Sequence, residues 1–317
     1  MSMKLRLSMV GTVALIIAVS TLGFSMILGV MGVLDLWSLV LVVAVFNLAQ
    51  WLLAPYLIKG LYGVRQLAPG EQPQLHRMVE SLSYESGIKP PKLMFSNLRL
   101  PNAFAYGSPL TGNHVAVTQG LLSELETEEV EAVIGHELGH IKHRDVQVMM
   151  FISLLPSLFY MLARSTLYSR YYGGRDRRDS GGLALVGGVS MLIYFFLLLF
   201  NLNLSRLREY YADRHSASVV PDGARKLSEA LAKISSSTWR IQRGTEGMAV
   251  SGFKTLFISD PDRAGRDTAE IYRMRDLGPD EDLVRGLVSR KLTVFDRFAE
   301  LFSTHPNIVK RLRALSG

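Results

Sequence analysis

Residues 127–145 read TEEVEAVIGHELGHIKHRD. Thr127 can cap a helix, and Glu128 and Glu129 suit the positive end of its dipole, so a helix is predicted to start here. At about 100° per residue, Val130, Ile134, Leu138 and Ile141 share one face, while His136, His140 and His143 fall on the opposite one. The apolar side is expected to pack inward and the histidine side to face a cleft.

A spacing of four places His136 and His140 one turn apart, where two imidazoles can close on a single Zn2+ at about 2.0–2.1 Å. Glu137 sits beside them, angled towards the place of a metal-bound water. This is the HExxH arrangement, in which the metal lowers the water's pKa and the glutamate takes its proton as it attacks a carbonyl. A surface helix can carry these five residues by coincidence, so the rest of a site has to be found elsewhere in the chain.

Composition narrows where to look. The 317 residues contain no cysteine, which excludes disulfides, thiolate zinc sites, iron–sulfur clusters and cysteine nucleophiles. A metal must therefore be held by histidines and carboxylates. The formal charge of +7 is spread over scattered Lys and Arg residues, often beside apolar runs where anionic headgroups would meet them. No nucleic-acid signature accompanies it, so nucleic acid is not expected as a partner.

The 48% apolar content and positive mean hydropathy of +0.19 call for membrane segments beside a soluble part. Residues 7–33 carry no charge and exceed the about 20 residues that cross hydrocarbon. With a second run close behind, the first reads as an uncleaved anchor rather than a signal peptide. That second run, 36–58, carries Trp37, Trp51 and Tyr56 as interfacial aromatics and completes a tight hairpin around Asp35. The third, 146–168, is interrupted by Gln147, Pro156 and Arg164 and fits either a span or a partly buried helix. The fourth, 183–202, is uncharged, and a Gly- and Arg-rich polar loop precedes it. If all four cross, both termini, 59–145 and everything beyond 203 lie on one side. Lys4, Arg6, Lys59, Arg65, Lys142, Arg144, Arg206 and Arg208 assign that side to the cytoplasm of a multi-pass cell-membrane protein, against the opposing arginines of 164–178.

A catalytic zinc needs a third protein ligand and keeps its fourth position open. SRLREYYADRHSA, directly after the fourth run, offers Glu209 and Asp213 one turn apart. Glu209 can ligate, and Asp213 can accept the free N–H of a ligand histidine. An amphipathic helix with carboxylates four apart is the plainer reading of the same residues. Topology favours the metal: two crossings separate His140 from Glu209, which puts both on one side whichever way the chain inserts.

HELGHIKHRD, SRLREYYAD and FSTHPNIVKRL, in this order with hydrophobic segments before and between them, resemble the HtpX heat-shock membrane proteases, relatives of the CAAX prenyl proteases. The resemblance implies a gluzincin-type core with one zinc on His136, His140 and Glu209, Glu137 as general base, and a quality-control role against misfolded membrane proteins. It also implies that PNAFAYG, with Asn102, Ala103 and Phe104, stands ahead of an edge strand, HVAVTQGLL, whose main chain pairs with the peptide to be cut. His305, ahead of Pro306, and Arg311 match the family's C-terminal motif and imply help for the oxyanion. Read from the residues alone, Pro306 opens a helix and Arg311 simply lies on it.

Two features depart from that family. Residues 259–300 intervene before the STHP stretch, and Leu283, Leu287, Phe295, Phe298 and Leu301 within them have helical apolar spacing that fits a lid, a partner surface or packing. His215, two residues after Asp213, reads as a surface residue or a supporting contact to the ligands.

The reading is thus an α+β, mostly helical integral-membrane protein with up to four transmembrane helices and a small sheet near 92–118. Its expected parts are an N-terminal hairpin (1–59), a first catalytic segment (60–145), a second hydrophobic pair (146–203) and a second catalytic segment (204–317). Protein or peptide substrates and the lipid bilayer are its expected partners. A serine protease is disfavoured because Ser190 has no histidine in any hydrophobic run. A site-2 design is disfavoured because HELGH lies in a charged helix before a span. The remaining alternative is a non-catalytic, zinc-stabilised membrane adaptor, which would have no need of Glu137.

Overall fold

The computed structural model describes residues 62–145, 180–244 and 280–317, together with 55–60 and positions 45, 48, 49, 52, 53, 156, 159, 160 and 163. The chain divides into two compact units, Met1–Leu53 with Val148–Leu204 and Ala54–Gln147 with Ser205–Gly317.

The second unit contains a four-stranded sheet of β1 (Arg65–Gln66), β2 (Lys92–Ser96), β3 (Ala103–Ser108) and β4 (Gly112–Thr118), in the order β1-β2-β4-β3. β2 and β4 are parallel; the other two pairings are antiparallel. Of HVAVTQGLL, expected as the edge strand, HVAVT is therefore interior and QGLL is helical, and the edge beside it is β3, which carries Ala103 and Phe104 itself. The reason is visible in composition: Val115, Ala116 and Val117 form a continuous apolar run with no exposed surface, as a strand covered on both faces requires.

Helices frame the sheet. α1 (Pro73–Ser86) starts with Pro73 in its first turn and ends at Gly87 (φ 66°), whose N–H bonds back to the Tyr84 carbonyl while that of Ile88 reaches Ser83. α2 (Gln119–Glu124) is capped by the Thr118 side chain, which accepts from the Leu121 N–H. α3 (Thr127–Lys142) takes Thr127, the expected cap, as its first residue, and its cap lies one residue earlier. Glu126 is its N-cap, in a reciprocal box with Glu129.

α3 is buried on almost every side, so its histidine face lies as deep as its apolar face. Each buried Val, Ile or Leu on it contributes about 1.5–3 kcal/mol of transfer free energy. α5 (Gly223–Gly244) packs along it and ties to it through Lys233–Glu129 at 2.8 Å and Lys226–Glu131 at 3.3 Å. α6 (Asp280–Ser289), α7 (Val294–Glu300) and α8 (Ile308–Leu315) close the chain. Pro306 precedes the Asn307 N-cap of α8 rather than standing in its first turn.

α4 (Ser180–Val219) is a continuous helix of 40 residues. Its first part belongs to the first unit and contains the uncharged run 183–202; Leu185, Leu192, Phe195 and Phe196 are exposed on it. Among the described residues this is the one helix long and apolar enough to cross a membrane. The run 7–33 lies outside the described residues, and those at 36–58 and 146–168 are described only in part.

Candidate metal centre

The centre lies where α3 meets the residues of α4 from Ser205 onward. Two glycines set that approach. A Cβ on Gly139 would stand 3.1 Å from the Ala212 Cα and 3.0 Å from the His215 Cβ; one on Gly135 would stand 2.9 Å from a Val220 methyl. The missing side chains let the backbones close until Glu209 reaches the face that bears His136 and His140.

Nε2 of His136 and Nε2 of His140 are 3.2 Å apart. Glu209 presents Oε2 at 3.6 Å from the first and Oε1 at 3.7 Å from the second. Tetrahedral ligands at about 2.0–2.1 Å from a zinc ion stand about 3.3 Å from one another, so these separations fit a single ion. The protons agree. His136 Nδ1 is 2.9 Å from Asp213 Oδ1, and His140 Nδ1 is 3.4 Å from Asp145 Oδ2. Asp213 assigns a proton to Nδ1 of His136 and Asp145 favours the same at His140, which leaves the Nε2 lone pairs facing each other and a carboxylate. Such a donor set is satisfied by a cation.

All three donor residues are buried. Burial pushes the Glu209 carboxyl up, but His305 and Arg311 outweigh it and hold it well below the usual range. Asp213 is raised by burial and lowered more by Arg311 and His136. For His136 the burial that lowers its pKa is overcome by Asp213; for His140 burial prevails.

Glu137 lies beside the donors. Burial pushes its carboxyl up to about 7, with Glu209 adding to the shift and His136 opposing it. Its Oε2 accepts the Ala105 N–H of the edge strand at 2.8 Å. Asn102 O accepts from Thr118 N at 3.0 Å, so even-numbered residues of β3 turn their main-chain groups to β4, whereas Ala103, Ala105 and Gly107 turn theirs outward. Asn102, Ala103 and Phe104 are buried, the last with its ring 5.1 Å from that of Tyr62.

The C-terminal motif converges on Glu209. His305 Nδ1 is 3.3 Å and Arg311 Nη1 3.0 Å from Oε2. Arg311 also grips Asp213, with Nε at 2.8 Å and Nη2 at 2.6 Å.

Asp145 and Arg208, neither of them expected at the metal centre, belong here. Asp145, the last residue of HELGHIKHRD, supports His140 and is itself 3.2 Å from Arg208 Nε; an Arg208 Nη2 lies 3.4 Å from the same ring nitrogen. The signal was an acid closely following the second histidine and a base beside Glu209. Conversely, His143 is the C-cap of α3, its ring 6.2 Å from that of His215, and stands outside the donor group. His215 is not at the surface: it is buried, 2.9 Å from the Ser86 hydroxyl, with its pKa lowered to about 4 by burial.

The chain is similar to known proteins. The model of peptidase family M48 matches residues 69–317. A protease HtpX homolog of Thermoplasma acidophilum is 34% identical over 331 residues, covering 99% of this chain and 97% of the relative. One from Aeropyrum pernix is 36% identical over 313 residues, covering 98% and 94%. The crystal structure of S. mikatae Ste24p matches with a TM-score of 0.50 at 18% identity, over 100% of this chain and 67% of that one, which is a likeness of fold.

Proposed function

Because this chain belongs to peptidase family M48 and is a membrane metalloprotease with HtpX relatives along nearly its whole length, we propose that it holds one Zn2+ on His136, His140 and Glu209 and cleaves peptide bonds of membrane proteins with Glu137 as general base. The observation that carries this reading is the convergence of three buried donors at tetrahedral separations with a buried carboxylate beside them.

Bound there, zinc would lower the pKa of a water and polarise the scissile carbonyl. Glu137 takes the proton of the attacking water; the Ala105 N–H on Oε2 fixes the carboxylate and leaves Oε1 for that proton. Its elevated affinity for a proton suits both that uptake and later delivery to the leaving amine. With the Ala105 N–H taken by Glu137, the Ala105 carbonyl and the outward groups of Ala103 and Gly107 offer an edge for an extended substrate, so Asn102, Ala103 and Phe104 act through the strand they shape.

Nε2 of His305 has no hydrogen-bond partner among the described residues and is assigned to the oxyanion of the attacked carbonyl. Arg311 is committed to two carboxylates, which favours a positioning role over contact with the oxyanion. Asp213 holds His136 in its ligating tautomer. The catalytic domain, assembled from 60–145 and 204–317, faces the cytoplasm, with up to four spans anchoring it.

The competing reading, a zinc-stabilised adaptor, is disfavoured by Glu137, a buried acid that a structural site does not need, and by a donor group of three rather than four among the described residues. The test is cleavage of a membrane-protein substrate in proteoliposomes. A chelator is expected to abolish cleavage and stoichiometric Zn2+ to restore it; cleavage that persists in metal-free protein would reject the proposal.

A further inference from the structure

α7 is turned inside out. Its acids Asp296 and Glu300 are each 7% exposed, whereas Val294 is 84%, Phe298 59%, and Leu301 and Phe302, in the turn that follows, 50% and 49%. The orientation is held by specific bonds. Asp296 closes a capping box with Thr293, and Glu300 accepts the Asn307 N–H at 3.0 Å and pairs with Lys310. Buried acids on one side therefore present a cluster of large apolar side chains on the other, with the Phe298 and Phe302 rings 5.5 Å apart. Such a patch on a catalytic domain marks something it binds.

The depth of the patch follows from Arg206. It is the first charged residue after the uncharged run 183–202, and a charge in that position stands at the headgroup level of a bilayer the run crosses. Its Nη1 donates to the carbonyls of Glu300, Leu301 and Ser303 at 2.7, 3.2 and 2.9 Å. The end of α7 is thereby brought to the same level. Lys291 and Arg297, both exposed, fringe the patch with the charge that anionic headgroups attract.

We propose that Val294, Phe298, Leu301 and Phe302 insert into the boundary between headgroups and acyl chains, making α7 a second, peripheral membrane anchor of the catalytic domain. The anchor fixes the height of the metal centre above the lipid, because the loop 303–307 that follows it delivers His305 to Glu209. This rests on the reading that 183–202 spans the membrane.

The absence of cysteine makes the test direct. Single cysteines replace Phe298, Leu192 on the exposed face of the run 183–202, and Glu80, an exposed acid on α1, in the full chain. Each carries a nitroxide in nanodiscs containing anionic lipid, and a Tm equal to that of the unlabelled chain certifies the fold. Collision with lipid-soluble oxygen and with a water-soluble nickel chelate is then measured. The oxygen-to-nickel ratio at 298 is expected to exceed that at 80 severalfold and to fall below that at 192. A ratio at 298 equal to that at 80 places the patch in water, and low collision with both agents places it under protein, another segment or a second copy. Either result overturns the anchor while a high ratio at 192 leaves the span standing. A water-like ratio at 192 removes the span and the anchor together.

Discussion

Arg311 Nη1 lies 3.0 Å from Oε2 of Glu209, so the carboxylate best placed to complete the metal centre is held by a buried cation from the last helix of the chain. The same guanidinium binds Asp213 through two nitrogens. One residue thus orients a donor and the partner of another donor, and it couples the C-terminus to the assembly of the site.

Replacing Arg311 by Met leaves two buried carboxylates uncompensated. In chelator, where no metal can take over the charge, the variant is expected to lose about 3–5 kcal/mol, read as a lowered Tm. Arg311→Lys should recover less than half of that loss, since an ammonium cannot reproduce the forked grip on Asp213. Full recovery with Lys would reduce the role of Arg311 to charge alone.

The two glycines of α3 differ in what they face, and substitution should sort them. A methyl on Gly135 meets a Val220 methyl at 2.9 Å and the Ser216 hydroxyl at 3.2 Å; one on Gly139 meets the Ala212 backbone at 3.1 Å as well as the His215 side chain. Gly139→Ala should cost about 1–3 kcal/mol by overpacking and lower zinc occupancy after dialysis against a weak chelator. Gly135→Ala, whose methyl first meets side-chain atoms, should lower both Tm and zinc by less. Wild-type Tm and zinc in Gly139→Ala would contradict the close approach described above.

Burial raises Glu137 to about 7 in the metal-free protein from 4.5. A carboxyl raised in this way contributes stability that is fully present below pH 4.5 and lost as pH rises through about 7. Glu137→Gln does not ionise. Chelated wild type should therefore fall behind chelated Glu137→Gln across that window, by up to about 3 kcal/mol. Melting both proteins at pH 4.5, 6 and 8 checks it; Tm curves that stay parallel would show that Glu137 is solvated.

Local periodicity made much of the centre legible. A four-residue spacing brings His136 and His140 to one face in any α-helix, and Glu209 with Asp213 obeys the same rule after a run that returns the chain to the same side. What eluded the sequence depends on packing between distant segments. Asp145 and Arg208 meet only because α4 crosses α3, so the acid after His140 and the base beside Glu209 point to a pairing only once that crossing is known. HVAVT lies inside the sheet, against what the resemblance implies, and the solid apolar run of Val115, Ala116 and Val117 is the mark of an interior strand. Glu126 caps α3 in place of Thr127 because a box with Glu129 satisfies two main-chain N–H groups where a threonine cap satisfies one.

The most direct test of the central claim, that Glu137 works on a water at a zinc held by His136, His140 and Glu209, is to measure cleavage and bound zinc together in Glu137→Gln. Glu137→Gln is expected to keep close to one zinc per chain while its cleavage falls by at least about a hundredfold, the scale of a lost general base. Cleavage at the wild-type rate in a zinc-loaded Glu137→Gln protein would contradict it.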